Sequence, residues 1–339
     1  MRSTLRALVL STIAVAASVA GYSTMQLQAS TGPIPLNCDR ACLEGVMNQY
    51  LAAVVAHDPR RVPLSEDVMY TENDQILKAG DGFWKTAAGL GNYKHYFADP
   101  EMGQVVFMGT MQEAGAALLL SLRLRIELGR ITEIESVYFR SGGAGPNNIP
   151  AMDQAGKPDD LWFKSIPPAQ RLSRQQMISI ADGYFTGLQR NDGKGIQGTG
   201  TYPFTSDCHR IENGSPTTNV PRPANEPPDT INAFAMDCMS QFKLGYYFVV
   251  QAIHGRRYPL VDSERGVVWS HAVFDQGTVN EGTLSDGRKY TFRAFNRPSS
   301  ILVTEAFLIE NGKIRRVEMI GPGVSYHLNS PWPGGLTGN

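Results

Sequence analysis

The chain repeats itself, and that repeat limits the folds open to it more than any other feature. Leu43 to Asp58 and Met177 to Asp192 share one pattern, with Tyr50 matching Tyr184 and Asp58 matching Asp192. In both stretches apolar residues recur near helical spacing and stop at a polar pair followed by Pro59 or Gly193, which predicts two amphipathic opening helices. Tyr70-Thr71-Glu72-Asn73-Asp74 then corresponds to Arg210-Ile211-Glu212-Asn213-Gly214. Each copy closes on a hairpin, Arg123 to Glu135 and Ala306 to Glu318, and Asn311-Gly312 carries the residues that a type I′ turn favours. Further strands are expected at 103–109 and 116–127 in the first copy, and at 266–275, 290–295 and 301–310 in the second. The fold class is α+β: a helix followed by a curved antiparallel sheet, made twice.

The length agrees, since 339 residues at roughly 100–200 per domain allow two units. Residues 38–140 are the first domain, 141–171 a Gly/Pro-rich linker, and 172–335 the second, which is longer because of a Pro-rich insertion and an excursion at 278–289. Before them, Arg2 and Arg6 precede an apolar run from Ala7 to Ala20 that ends on Ser18-Val19-Ala20, so 1–20 reads as a signal peptide, with cleavage after Ala29 as the alternative. The expected destination is secreted or periplasmic, without stable membrane association after cleavage. With 31 Lys+Arg against 32 Asp+Glu, the chain lacks the cationic excess that phosphate-backbone binding needs, and no nucleic-acid partner is expected. Cys38, Cys42, Cys208 and Cys238 form an even set that suits an oxidising compartment. Three pairings are open; Cys38 with Cys42 and Cys208 with Cys238 is favoured, the latter closing the loop that holds Pro221, Pro223, Pro227 and Pro228. An i,i+4 bridge strains a regular helix, so the first pair requires a frayed helix start.

The opening helix, the Tyr70-Thr71-Glu72-Asn73 and Gly82-Phe83-Trp84-Lys85-Thr86 segments, Arg210-x-Glu212-Asn213-Gly214-x-x-Thr217-Thr218, Arg256-Arg257-Tyr258-Pro259 and the closing hairpins resemble the nuclear transport factor 2-like superfamily in its SnoaL-like branch, in tandem, over roughly residues 38–335. The resemblance extends to a group of secreted tandem proteins of fungi and some bacteria. It implies two cones, each a helix-lined sheet wrapped round an internal pocket. It also implies the chemistry of cofactor-free relatives such as scytalone dehydratase and ketosteroid isomerase, although other relatives only bind or assemble.

The residues narrow the site to the second copy. Glu305 alternates with Ile301, Val303, Phe307 and Ile309, where the first copy has Leu122; it is a general acid or base raised by desolvation, or the partner of Arg256, Arg257 or Arg293. His271 shares a strand face with Val267, Trp269 and Val273, as a pocket base or a satisfied core histidine. His209 is a proton-transfer candidate or a surface histidine beside a disulfide. Glu212, Asn213, Arg256, Arg257 and Tyr258 complete the substrate-binding set, with Arg257 facing an anionic oxygen or pairing with Asp262 or Glu264. The Glu72-Asn73 duplicate reads as a structural turn. Trp84, Tyr93, His95 and Tyr96 form a pocket wall, plain core or a seam between the copies, and Arg123 faces solvent or the other copy. The chain has no nucleophile elbow, phosphate loop or His-x-x-x-His pair, so neither metal nor cofactor is expected. Two functions follow: a cofactor-free lyase, isomerase or hydrolase acting on a small organic molecule in the second domain's pocket, or a non-catalytic binding or interaction protein. A monomer with pseudo-two-fold symmetry is expected, with a homodimer as the alternative.

Overall fold

The computed structural model describes residues 33–143 and 145–333, so the segment read as a signal peptide lies outside the described residues. The first repeat runs α1 (Arg40–Val55), β1 (Leu64–Glu72), β2 (Gln75–Leu77), β3 (Ala87–Asp99), β4 (Gln104–Glu113), β5 (Ala116–Glu127) and β6 (Arg130–Arg140). A linker carrying α2 (Ile149–Ala155) leads to α3 (Arg174–Leu188), β7 (Phe204–Glu212), β8 (Ser215–Pro216) and α4 (Cys238–Lys243). The chain then continues through β9 (Val250–Asp262), β10 (Val267–Gln276), the small hairpin β11 (Glu281–Thr283) and β12 (Lys289–Thr291), β13 (Ser299–Glu310), β14 (Lys313–Ile320) and β15 (Gly323–Val324). The two sheets have the same order, β2-β1-β6-β5-β4-β3 and β8-β7-β14-β13-β10-β9. In each, the first long strand runs parallel to the last, β1 beside β6 and β7 beside β14, while the remaining neighbours are antiparallel.

Four long strands lie outside the sequence expectation, β1, β7, β3 and β9, and the two longest, β3 and β9, have broken alternation. β3 contains Gly89, Gly91 and Asn92 and shifts register at Ala87/Gly89 and Leu90/Lys94. β9 contains Gly255 and Pro259 and shifts beside His271. Each is the edge strand of its sheet, where bulges and a proline cost no ladder bond. The expected strand at 290–295 shrinks to β12, part of a separate two-stranded piece.

Each sheet has an inner face under its own helix and an outer face against the other repeat. Leu43, Met47, Tyr50 and Leu51 of α1 pack with Phe107, Leu120, Leu122 and Leu124, while Met177, Tyr184 and Phe185 of α3 pack with Val303, Phe307 and Val317. The outer faces meet in a seam in which Tyr93, Phe97, Met108 and Leu119 touch Leu260, Val267, Trp269 and Leu308. All ten residues of β10 are buried, because both of its faces are covered. Arg40, the first residue of α1, pairs with Asp262 at the end of β9 at 2.6 Å. Arg174, the first residue of α3, pairs with Asp99 at the end of β3 at 2.7 Å. Each copy thus grips the other by the same residues, the pattern of an isologous two-fold contact held within one chain.

Cys38–Cys42 and Cys208–Cys238 are both bridged. The short bridge avoids helix strain because Cys38 precedes the N-cap Asp39, whose carboxylate accepts the Cys42 N–H at 3.0 Å. Among the described residues no helix is long and apolar enough to cross a membrane.

Candidate functional site

The closing strand of each repeat, β6 and β14, carries a glutamate facing the seam, and the two glutamates meet different neighbours. Glu135 accepts Arg123 Nε at 2.7 Å and is paired with Arg257 from the other repeat. Burial alone would raise its pKa, but Arg257, Arg123 and His271 together hold it down at about 2. Trp332 from the C-terminal segment covers this end, 5.0 Å from the Arg123 guanidinium and 5.6 Å from that of Arg257. Every place around Glu135 is taken.

Glu318 occupies the equivalent position at the other end. Its Oε2 accepts the Tyr93 hydroxyl at 2.9 Å and lies 3.1 Å from His95 Nδ1, while its Oε1 is buried without a partner. The tryptophan at this end is Trp162, in the linker, 4.8 Å from the His95 ring. The linker stands off the sheet and leaves a cleft of about 440 Å³, within the range of small-molecule sites. Tyr93, Met152, Trp162 and Ile211 supply apolar surface, His209 and Arg316 line one wall, and Glu318 lies among the lining residues.

Local sequence explains why the linker stands where it does. Asn213 and Gly214 take positive φ values of 46° and 79° in the turn after β7. A Cβ at Gly214 would come within 2.7 Å of the Asn148 carbonyl, so only glycine lets the linker seat there. The Asn148 N–H donates to the Asn213 carbonyl at 2.9 Å, and the Asn148 side chain caps α2. Asp159 accepts the Leu161 N–H at 2.9 Å and is bonded by Arg316 Nε at 3.1 Å and Nη2 at 3.0 Å, which latches the Trp162 turn to β14. His209, half-buried on this wall, has its pKa lowered by burial and by Arg316, with Asp159 opposing, so its imidazole is neutral at neutral pH.

A second polar group lies under α3, on the inner face. Glu305 does point inward, as its alternation indicated, and is 2% exposed with Oε2 unpartnered. Burial pushes its pKa up to about 8, opposed by Arg210 and the Tyr184 hydroxyl and reinforced by Glu212. Arg210 donates to Gln241 Oε1 at 3.1 Å and to the Tyr247 hydroxyl at 2.7 Å, and it also pairs with Glu212. The Cys208–Cys238 bridge joins β7 to α4, which carries Gln241. Rings fill the space beside Glu305: Phe307 lies 5.0 Å from Tyr184 and 5.6 Å from Phe185, and Phe242 lies 5.4 Å from Tyr184.

The residues grouped by sequence therefore separate onto three surfaces. Glu305 and Glu212 share the inner face with Tyr258, whose hydroxyl donates to Asp182 of α3 at 2.8 Å. Arg256 lies at the rim of α3, bonded to Asp182 and Thr186 at 3.1 and 3.0 Å. His271 and Arg257 are in the seam, on the opposite side of the sheet from Glu305; His271 Nε2 is 3.2 Å from Asp74 of the first repeat. Arg257 pairs with Glu135 across the seam rather than with Asp262 or Glu264. Strand parity fixes this correction, since His271 and Trp269 share the face that meets the other sheet. His209 belongs to the cleft. Asn213 is a turn residue whose amide bonds both the N–H and the carbonyl of Gly321, at 2.9 and 3.1 Å. Glu72, its partner Glu's duplicate, is saturated by the Tyr70 and Tyr138 hydroxyls and the Phe83 N–H.

Glu318, Arg316 and Trp162 were not among the sequence candidates. Glu318 was visible only as the end of the repeated hairpin, and nothing local distinguishes it from Glu135. No curated protein matches the chain. A family model described as a domain of unknown function (DUF8021) matches residues 37–138 and 170–321, the two repeats without the linker between them. Spanning well over half of the sequence in two segments, that match makes the chain a member of the DUF8021 family.

Proposed function

We propose that this is an exported small-molecule-binding protein built from two nuclear transport factor 2-like units, and that its ligand occupies the cleft beneath the linker. The observation that carries this reading is the unequal treatment of one repeated residue. Glu135 is saturated by two arginines, whereas Glu318 keeps a buried, unpartnered oxygen among the residues lining a cleft of about 440 Å³. A buried carboxylate oxygen without a donor is costly, and a ligand hydroxyl or N–H would relieve that cost. Tyr93 and Trp162 suit an aromatic or other flat apolar body. Lys157, exposed at the cleft wall, suits an acidic group on the same molecule, while Arg316 is held by Asp159. The expected ligand is a small hydroxylated aromatic acid. Two disulfides and the basic-then-apolar amino-terminal pattern support export.

Isothermal titration against a panel of hydroxylated aromatic acids and their methyl esters tests the proposal. Binding by at least one acid, weakened at least tenfold by both Trp162→Ala and Glu318→Gln, supports it. No binding across the panel, or binding indifferent to both substitutions, overturns it.

A catalytic reading has its own supporting observation in Glu305, a carboxyl held mainly protonated at neutral pH beside Arg210, Glu212 and Tyr247. It requires the rings of Tyr184, Phe242 and Phe307 to make room for a substrate. Turnover found in a substrate screen and lost in Glu305→Gln, with the melting temperature kept or raised, would favour it over simple binding.

A further inference from the structure

Away from the cleft, at the far end of the second sheet, three side chains from three separate elements converge. They are His254 on β9, Asp275 on β10 and His327 in the segment after β15. His254 Nε2 lies 3.4 Å from Asp275 Oδ1, and His327 Nδ1 lies 2.6 Å from Asp275 Oδ2. One ligand atom from each residue lies within 4.8 Å of the others. A tetrahedral zinc site with bonds of about 2.0–2.1 Å has ligand-to-ligand edges of about 3.3 Å, so small side-chain rotations bring these three atoms onto one ion. The imidazole rings are tilted against each other, with centroids 4.6 Å apart and planes at 38°, and both present a ring nitrogen to the same carboxylate.

We propose that His254, Asp275 and His327 bind a divalent first-row transition metal ion, with zinc(II) as the best match. Two imidazoles and one carboxylate are a borderline-soft donor set that leaves a coordination position for water. Ser300 forms the outer shell: its hydroxyl donates to Asp275 Oδ1 at 2.6 Å and accepts the His327 backbone N–H at 2.9 Å, orienting two ligands at once. Among the described residues, no lysine or arginine forms an ion pair with Asp275, which faces the two histidines instead. Asp74, Glu135 and His271 also lie with their ligand atoms within 4.8 Å of one another. There the guanidiniums of Arg123 and Arg257 already occupy the position a cation would take, so that cluster is an ion-pair network. His327 is 60% exposed, which gives an ion a route in from solvent. Bound metal would also fasten to the sheet the segment that carries Trp332 over the Glu135 end of the seam.

The test uses untagged protein, freed of metal with a chelator and dialysed, then titrated with zinc(II) by calorimetry and with cobalt(II) by visible absorption. One equivalent is expected to bind, with a cobalt spectrum of low coordination number, and zinc is expected to raise the melting temperature. Ser300→Ala should weaken binding roughly 10–100-fold, as loss of an outer-shell partner does, and His254→Ala or His327→Ala should weaken it further. Because His327 also bonds the buried Asp275, the readout that separates ligand loss from unfolding is the zinc-induced rise in melting temperature, measured against each variant's own metal-free value and expected to vanish in His327→Ala. Failure of the wild-type protein to bind one equivalent of either ion overturns the proposal. So does one-equivalent binding that survives the double substitution His254→Ala/His327→Ala.

Discussion

Replacing Glu305 with glutamine should make the protein more stable, by an amount that grows with pH. In the folded chain burial raises the Glu305 pKa from 4.5 to about 8. A raised pKa means that the native state binds the proton more tightly than the unfolded state does. Stability associated with that proton is complete below about pH 4.5 and is lost as pH climbs through about 8. At 1.36 kcal/mol per pH unit, the loss is roughly 3 kcal/mol at pH 7 and approaches roughly 5 kcal/mol above pH 8. Glutamine is close to isosteric and does not ionise, so it escapes the loss. The assay is urea denaturation of wild type and Glu305→Gln, disulfides intact, at pH 5, 7 and 9. Other titrating groups are common to both proteins, so the difference between them isolates Glu305. The two should be within about 1 kcal/mol at pH 5 and separate by several kcal/mol at pH 9. Parallel pH profiles would refute the argument, because they would mean that the carboxylate ionises in the core without penalty, stabilised by Arg210.

Two further outcomes follow from the seam and the insertion. Glu135→Gln leaves Arg123 and Arg257 facing each other in a buried site and should cost about 3–5 kcal/mol in denaturant unfolding at pH 7. The Glu135 pKa is depressed to about 2, so the wild-type advantage should be present above about pH 4.5 and shrink as pH falls towards 2; an undiminished advantage at pH 2.5 would contradict it. The Cys208–Cys238 bridge spans 30 residues, for which chain-entropy arithmetic gives about 3.6 kcal/mol, to be measured by denaturation of the Cys208→Ser/Cys238→Ser double variant. A loss below about 1 kcal/mol would show that the proline-rich segment is held by other contacts.

Which parts of this molecule could be read from sequence depends on whether a signal is local. The opening helices, the closing hairpins and the inward aim of Glu305 were legible because periodicities of 3.6 and 2 assign a face directly. The edge strands β3 and β9 were not, because Gly89, Gly91 and Asn92 in one, and Gly255 and Pro259 in the other, break that alternation. Alternation also cannot say what lies against a face. The apolar residues around His271 marked it as buried, yet the layer it meets is the other repeat rather than a pocket, and sequence contains no coordinate for that distinction.

The same limit explains why the cleft was missed and why it is informative. Duplication gives a chain two copies of every residue that the shared fold requires, so Glu135 and Glu318 look alike in sequence. What separates them is long-range. Glu135 gains arginines on β5 and β9 and the cover of Trp332, whereas Glu318 gains Tyr93, His95 and a linker that stands clear of the sheet. In a duplicated scaffold a site is therefore best sought where one copy satisfies a repeated polar group and the other leaves it open. A group that neither copy satisfies would be too costly to bury twice, and one that both satisfy belongs to the fold. Glu72 and Glu212 fit the second description, since each has protein donors in its own repeat. Glu135 and Glu318 differ in the way that a ligand would explain, and the tenfold loss expected of Glu318→Gln therefore tests how this duplicated fold divides its two ends between holding itself together and holding something else.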